Sequence, residues 1–289
     1  MTFFMQITYL KHMSRLFTSL TLSLLLSACS ATALDERRAA SVLVGTEAGW
    51  QPIKLDTGDF VLTAFVPPLK LKQASTLTIY IEGDGLAWLS RSTPSLDPTP
   101  LNPVGLKLAL RDPSDAVAYL ARPCQFVAND DKRSCQRKYW THQRFAPEVI
   151  AASVNAVEQL KRRAGADRLV LIGYSGGAAV ASLVAAQRRD VVQLITVAGT
   201  LDHPTWTQEL HLSPLEGSLN PSDAWERLQS LPQTHFVGAQ DAIVSVSVAR
   251  AYAAHFPLAA PLTIKTLPAF DHHCCWVEHW PQLLEEVAR

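Results

Sequence analysis

The stretch Arg168-Leu-Val-Leu-Ile-Gly-Tyr-Ser-Gly-Gly177, running on into the alanine-rich segment that ends at Arg188, decides the fold. Residues 169–173 are a short apolar run with branched side chains, the pattern of a strand buried on both faces. Residues 177–188 read as a helix. Between the two lies Gly173-Tyr174-Ser175-Gly176-Gly177, a GxSxG pentapeptide on a strand-to-helix turn. A serine on such a turn stands exposed at the end of its strand, and the flanking glycines let the two backbones pass closely. The free N–H groups of the helix N-terminus then point to where negative charge would develop. Ser175 is therefore the candidate nucleophile, and the Gly176 amide a candidate donor to an oxyanion.

The same alternation continues on both sides. Residues 51–55 and 60–66 read as an antiparallel pair around Thr57-Gly58-Asp59. Further strands are expected at 77–82, 116–121, 191–198, 234–238 and 262–267, and helices at 147–163, 245–255 and 281–289. Residues 90–104 carry four prolines and read as an irregular loop. Strands alternating with helices imply an α/β fold, a mainly parallel central sheet with helices on both faces. The 289 residues carry 26 bases and 26 acids, with 48% hydrophobic residues. That composition fits a large core and argues against a disordered chain or a nucleic-acid binder.

On these residues the sequence resembles the α/β-hydrolase fold family, over roughly residues 50–289. The resemblance implies a Ser, acid, His order, with the acid after a late strand and the base after the last one. Asp241, in Gly238-Ala-Gln-Asp241, matches the acid turn, and Asp202 is the alternative. The base is His272 or His273, in Phe270-Asp-His-His-Cys-Cys-Trp276. His272 is preferred because His-x-Cys-Cys-Trp resembles a pattern in a subset of bacterial α/β-hydrolase lipoproteins. The second oxyanion donor is the backbone amide of Asp84, where Glu82-Gly83-Asp84-Gly85 stands in place of the family's His-Gly segment. Glu82 replaces the usual histidine, and the Asp84 carboxylate is expected to turn away or bond to backbone amides. Arg122, Arg144 and the loop 90–104 are candidates to shape a pocket, with surface charge and turns the preferred reading. Trp88 and Trp276 each follow a candidate site loop, and residues 203–221 occupy the position of a cap. No cofactor and no metal are expected, because the neighbouring His and Cys residues at 272–279 cannot easily converge on one tetrahedral ion.

The N-terminus reads as a separate part. Lys11 and Arg15 precede a Leu-rich run, Leu16 to Leu26, that is too short to span a bilayer but suits an export signal. Leu26-Ser-Ala-Cys29 resembles the lipobox of bacterial lipoproteins. The resemblance implies a signal peptide over 1–28, starting at Met1 or Met13, with cleavage before Cys29 and acylation of that residue. Residues 29–49 would be a lipid anchor and tether, polar over 35–41, and 50–289 the hydrolase domain. Ser30, rather than Asp, points to the outer membrane if the envelope is Gram-negative. In an oxidising compartment Cys124–Cys135 is the favoured disulfide, while Cys274 and Cys275 are either free thiols or a vicinal pair. The combined expectation is a lipid-anchored serine hydrolase. Its partners would be the membrane, through the N-terminal lipid, and a small-molecule or lipid-like acyl substrate. The alternative is a non-enzymatic envelope lipoprotein that uses the same scaffold for binding or assembly.

Overall fold

In a computed structural model of the chain, residues 35–68 and 74–287 are described. The expected signal peptide and Cys29 lie outside them. Gln51–Asp56 (β1) and Val61–Val66 (β2) form the antiparallel pair, with Asp56 opposite Val61. They are followed by β3 (Thr76–Ile81), β4 (Val117–Leu120), β5 (Arg168–Tyr174), β6 (Val191–Val197), β7 (Gln233–Gly238) and β8 (Leu262–Leu267). The eight strands make one sheet in the order β1-β2-β4-β3-β5-β6-β7-β8, parallel from β4 to β8 and antiparallel at the β1-β2 edge.

After β3 the chain steps outward to β4, then returns past β3 to β5. Neighbouring strands whose connections leave to opposite sides open a crevice at their carboxyl ends, where ligands of α/β sheets bind. Ile81 stands opposite Gly173 in the register, so the loops after β3 and β5 emerge side by side.

The side chains of these strands alternate between two cores. Leu77, Ile79, Leu169 and Leu171 pack with the helices Pro147–Ala164 (α3) and Gly176–Ala185 (α4). Tyr80, Ile172 and Tyr174 pack on the opposite face with Trp276 and Trp280 of α8 (Trp276–Val287). In α3, Val149, Ile150, Val157 and Leu160 are fully buried, each contributing about 1.5–3 kcal/mol by leaving water. Its start carries Pro147 at the first turn, and it ends at Gly165 with φ +62°, a conformation glycine takes without a Cβ clash. The shorter helices are α2 (Val104–Ala109), α5 (His203–Glu209), α6 (Trp225–Leu228) and α7 (Val246–Ala253).

Three features differ from the sequence reading. Helix α2 follows directly on the proline-rich loop; its first amides, Gly105 N–H and Leu106 N–H, donate to the Glu82 carboxylate at 3.1 and 3.3 Å. A cap supplied from 23 residues away leaves no local signal. Helix α8 begins at Trp276 and carries Pro281 inside it, so that proline is not the helix start. The larger compact unit begins at Ser41 rather than at residue 50. Residues 41–47 (α1) are helical and not tether, because Val42 and Val44 pack on the second core. Residues 35–40, in the smaller unit, are helical as well.

Cys124 and Cys135 form a disulfide, with Cα atoms 5.6 Å apart, that closes the polar loop between them. Cys274 and Cys275 are bonded to each other. Among the described residues, no helix is long and apolar enough to cross a membrane.

Candidate active site

Ser175 sits between β5 and α4 with φ +51° and ψ −121°, a sparsely populated conformation costing roughly 1–3 kcal/mol. The surroundings hold it there. Its N–H donates to Val197 O at 2.9 Å, and its carbonyl accepts from Ala178 N–H at 3.0 Å and Thr200 N–H at 3.2 Å. Gly177 is required by close approach, since a Cβ there would come within 2.2 Å of Ile81 O.

Asp241 and His272 come from the ends of the next strands. Asp241 follows β7, its N–H donating to Gly238 O at 3.2 Å. One carboxylate oxygen, Oδ1, accepts from Ile243 N–H at 2.8 Å and Val244 N–H at 2.7 Å. The other, Oδ2, lies 2.8 Å from His272 Nδ1, and His272 Nε2 lies 3.0 Å from Ser175 Oγ. An ionised carboxylate can only accept, so Nδ1–H donates to Asp241 and the bare Nε2 accepts from the Ser175 hydroxyl. Asp241 and His272 are both buried.

The turn after β8 separates the two histidines. Asp271 Oδ1 accepts from His273 N–H and Cys274 N–H, both at 2.7 Å, and Trp276 Nε1–H donates to Asp271 O at 2.9 Å. His272 is thereby turned inward. His273 faces the Tyr174 hydroxyl instead, with Nδ1 3.2 Å away, and Tyr174 O–H donates to His272 O at 2.9 Å. Burial, reinforced by His272, lowers the His273 pKa. Of the two candidates only His272 reaches Ser175. Asp202, the alternative acid, is engaged elsewhere: it caps α5 through Thr205 N–H at 3.0 Å and accepts from Ser222 Oγ–H at 2.6 Å.

The loop after β3 passes directly over the serine. A Cβ on Gly83 would lie 3.3 Å from Ser175 Cβ. The Gly83 N–H donates to Glu82 Oε1 at 2.9 Å, and Gln125 Nε2–H donates to Gly83 O at 2.9 Å. Glu82 is buried and also accepts from Tyr119 O–H at 3.0 Å. Burial pushes its carboxyl pKa up, against the hydrogen bonds from Gly83, Gly105, Tyr119 and Leu106. The amides of Asp84 and Gly176 find no protein acceptor among the described residues. Both therefore remain available as donors.

The Asp84 side chain corrects an expectation. It bonds not to backbone amides but to Arg122 Nη1 at 3.1 Å and to Arg144 Nη1. Burial would raise its pKa, yet the Arg144 and Arg122 charges outweigh burial and hold it below the usual carboxylate range. Arg122 and Arg144 are correspondingly buried rather than surface charges. Arg144 Nε–H donates to Thr141 O at 2.6 Å, and its guanidinium lies 5.7 Å over the Trp206 ring. Arg122 directly follows a parallel strand, which was a usable signal; Arg144 lies in a stretch with no periodicity to mark it.

These groups open into a cavity of about 1380 Å³, lined by Ser175, His272, Asp84, Arg144 and mainly apolar side chains. Trp88 and Trp206 line it, whereas Trp276 is a core residue. No group of three or more His, Cys, Asp or Glu side chains among the described residues is placed to hold a metal ion. The arrangement suits transfer of a proton from a serine hydroxyl, with two N–H donors nearby.

No protein-family model and no curated protein matches the chain. Solved structures do. The Pyrococcus furiosus esterase Pf2001 superposes with a TM-score of 0.57 at 14% identity, covering 82% of this chain and 88% of that one. Est1E from Butyrivibrio proteoclasticus gives 0.54 at 14% identity, covering 82% and 99%. An alpha-beta serine hydrolase homologue from Coxiella burnetii gives 0.53 at 14% identity, covering 83% and 96%. At such identities the likeness is one of fold. The chain has the α/β-hydrolase fold.

Proposed function

We propose that the chain is a serine hydrolase, held to a membrane by a lipid on Cys29, that cleaves an ester, thioester or related acyl bond. One observation carries the catalytic reading: the unbroken line of contacts from Asp241 through His272 to Ser175, ending in the cavity. In this reading Ser175 Oγ attacks the acyl carbonyl carbon while its proton passes to His272 Nε2. Asp241 holds the Nδ1–H tautomer and stabilises the imidazolium. The amides of Asp84 and Gly176 donate to the tetrahedral oxyanion, each contributing about 3 kcal/mol. The imidazolium then protonates the leaving alcohol or thiol. In the second half a water gives its proton to His272, attacks the acyl-enzyme and releases the acid and Ser175.

The apolar lining favours a hydrophobic acyl group, and two of the compared structures are named esterases, which favours esters over peptides. The anchoring rests on Leu26-Ser-Ala-Cys29 and the apolar run before it. Hydrolysis of a series of 4-nitrophenyl esters tests the catalytic part. Wild type should turn them over and Ser175→Ala should be slower by at least about 1000-fold; equal rates would refute it. Metabolic labelling with palmitate tests the anchor, with label expected in wild type and absent from Cys29→Ala.

A further inference from the structure

Four large apolar side chains line the cavity while staying open to solvent: Trp88, Leu101, Leu212 and Ile243, exposed by 39%, 65%, 40% and 42%. Leu89, beside Trp88, is exposed by 60% and lies outside the lining. Exposed apolar side chains gathered around one opening mark a surface that meets something apolar. Arg91 lines the same opening and is also exposed. A base beside a tryptophan is a combination suited to a lipid headgroup region.

The path of the chain says what that apolar partner is. Ser41, the first residue of the larger unit, donates its hydroxyl to Pro100 O at 2.6 Å. Pro100, Leu101 and Asn102 line the cavity. Ser41 and Pro100 are themselves buried, and the next residue, Leu101, is exposed at the opening, so the chain enters the domain close to that rim. About a dozen residues separate Ser41 from Cys29, a length that spans at most about 40 Å when fully extended. A compact domain of roughly 250 residues has a radius of gyration of about 18 Å, hence a diameter near 45 Å. A tether fixed at the rim is too short to pass around such a body and set the opposite side on the membrane.

We infer that the mouth of the cavity faces the bilayer that carries the Cys29 lipid, and that the enzyme draws an apolar acyl substrate from that bilayer. This rests on the lipid anchoring proposed above. Trp88, Leu89 and Leu101 then sit at the headgroup boundary, and Arg91 meets anionic lipid.

The acylated mature protein, reconstituted in vesicles of phosphatidylcholine and phosphatidylglycerol with bromine on the acyl chains, tests the orientation. Tryptophan fluorescence should be quenched in vesicle-bound wild type, and Trp88→Phe should lose at least half of that quenching. Protein that floats with the vesicles but shows no quenching, or equal quenching in Trp88→Phe, overturns the orientation while leaving the anchor intact. Protein that fails to float overturns the anchor and the orientation together. Leu89→Asp gives a second readout. It should leave hydrolysis of a water-soluble ester unchanged and slow hydrolysis of a vesicle-dissolved ester about tenfold. Equal rates on both substrates, or equal losses, contradict the inference. The quenching reads orientation even if Ser175 proves not to be a nucleophile.

Discussion

The carboxylate of Asp84 packs against the Cα of Gly176, so closely that a methyl group built there would lie 2.1 Å from Asp84 Oδ1. A negative charge thus stands beside an amide proposed to hold a developing oxyanion. Two like charges about 4 Å apart repel by roughly 4 kcal/mol at an effective dielectric of 20, enough to cancel one donor. Arg122 and Arg144 reverse the sign, because two cations face one carboxylate. Arg144→Met should lower kcat/KM by roughly 100-fold, since it leaves Arg122 as the one cation facing this carboxylate. Adding Asp84→Asn should recover at least about tenfold of that loss by removing the charge. A double variant as impaired as Arg144→Met in ester hydrolysis would contradict this electrostatic account.

Glu82 occupies the place of a family histidine and gathers four donors: Gly83, Gly105 and Leu106 N–H and the Tyr119 hydroxyl. An amide offers one acceptor oxygen and turns N–H groups toward the remaining donors. Each buried donor left without a partner costs about 1–3 kcal/mol. Glu82→Gln should therefore lose roughly 2–4 kcal/mol in urea denaturation, with a fall in kcat as the Gly83 loop loosens. Tyr119→Phe, which removes one donor from the cluster, should cost about 1 kcal/mol and leave kcat nearly unchanged.

His203 and His235 give the stability a pH dependence. Burial lowers both pKa values to about 3, with Arg144 adding to the effect at His203. Unfolded, each histidine takes up a proton as the pH falls below the ordinary value of 6.5; folded, each stays neutral until near pH 3. The unfolded state therefore binds more protons across that window, so stability falls as pH falls, by up to about 1.4 kcal/mol per pH unit for each histidine. Urea unfolding at pH 7 and pH 5 should show wild type losing about 3–4 kcal/mol. His235→Leu should reduce that pH-dependent loss by about half, whatever its effect at pH 7. An unchanged slope would show that His235 does not stay neutral in the fold.

Much of this was legible because the decisive signals are local. The apolar run at 169–173, the GxSxG turn and the proline at the start of α3 each specify their own stretch of backbone. What escaped is set by contacts between distant segments. Helix α2 depends on the carboxylate of Glu82, and Asp84, Arg122 and Arg144 meet from three separate loops. Adjacent histidines could not be told apart by spacing; they are separated by the hydrogen bonds of Asp271 and Tyr174. The helix over residues 41–47 was not foreseen, because two valines on one short turn carry little periodicity.

In the proposed mechanism Ser175 is activated by His272 and not by its neighbour. Fluorophosphonate labelling of the wild-type, His272→Ala and His273→Ala proteins, read by intact mass and peptide mapping, tests it most directly. One adduct per chain on Ser175 is expected in wild type and in His273→Ala at similar rates, with none in His272→Ala over the same time. An adduct on another residue, or equal labelling in His272→Ala, would contradict the account.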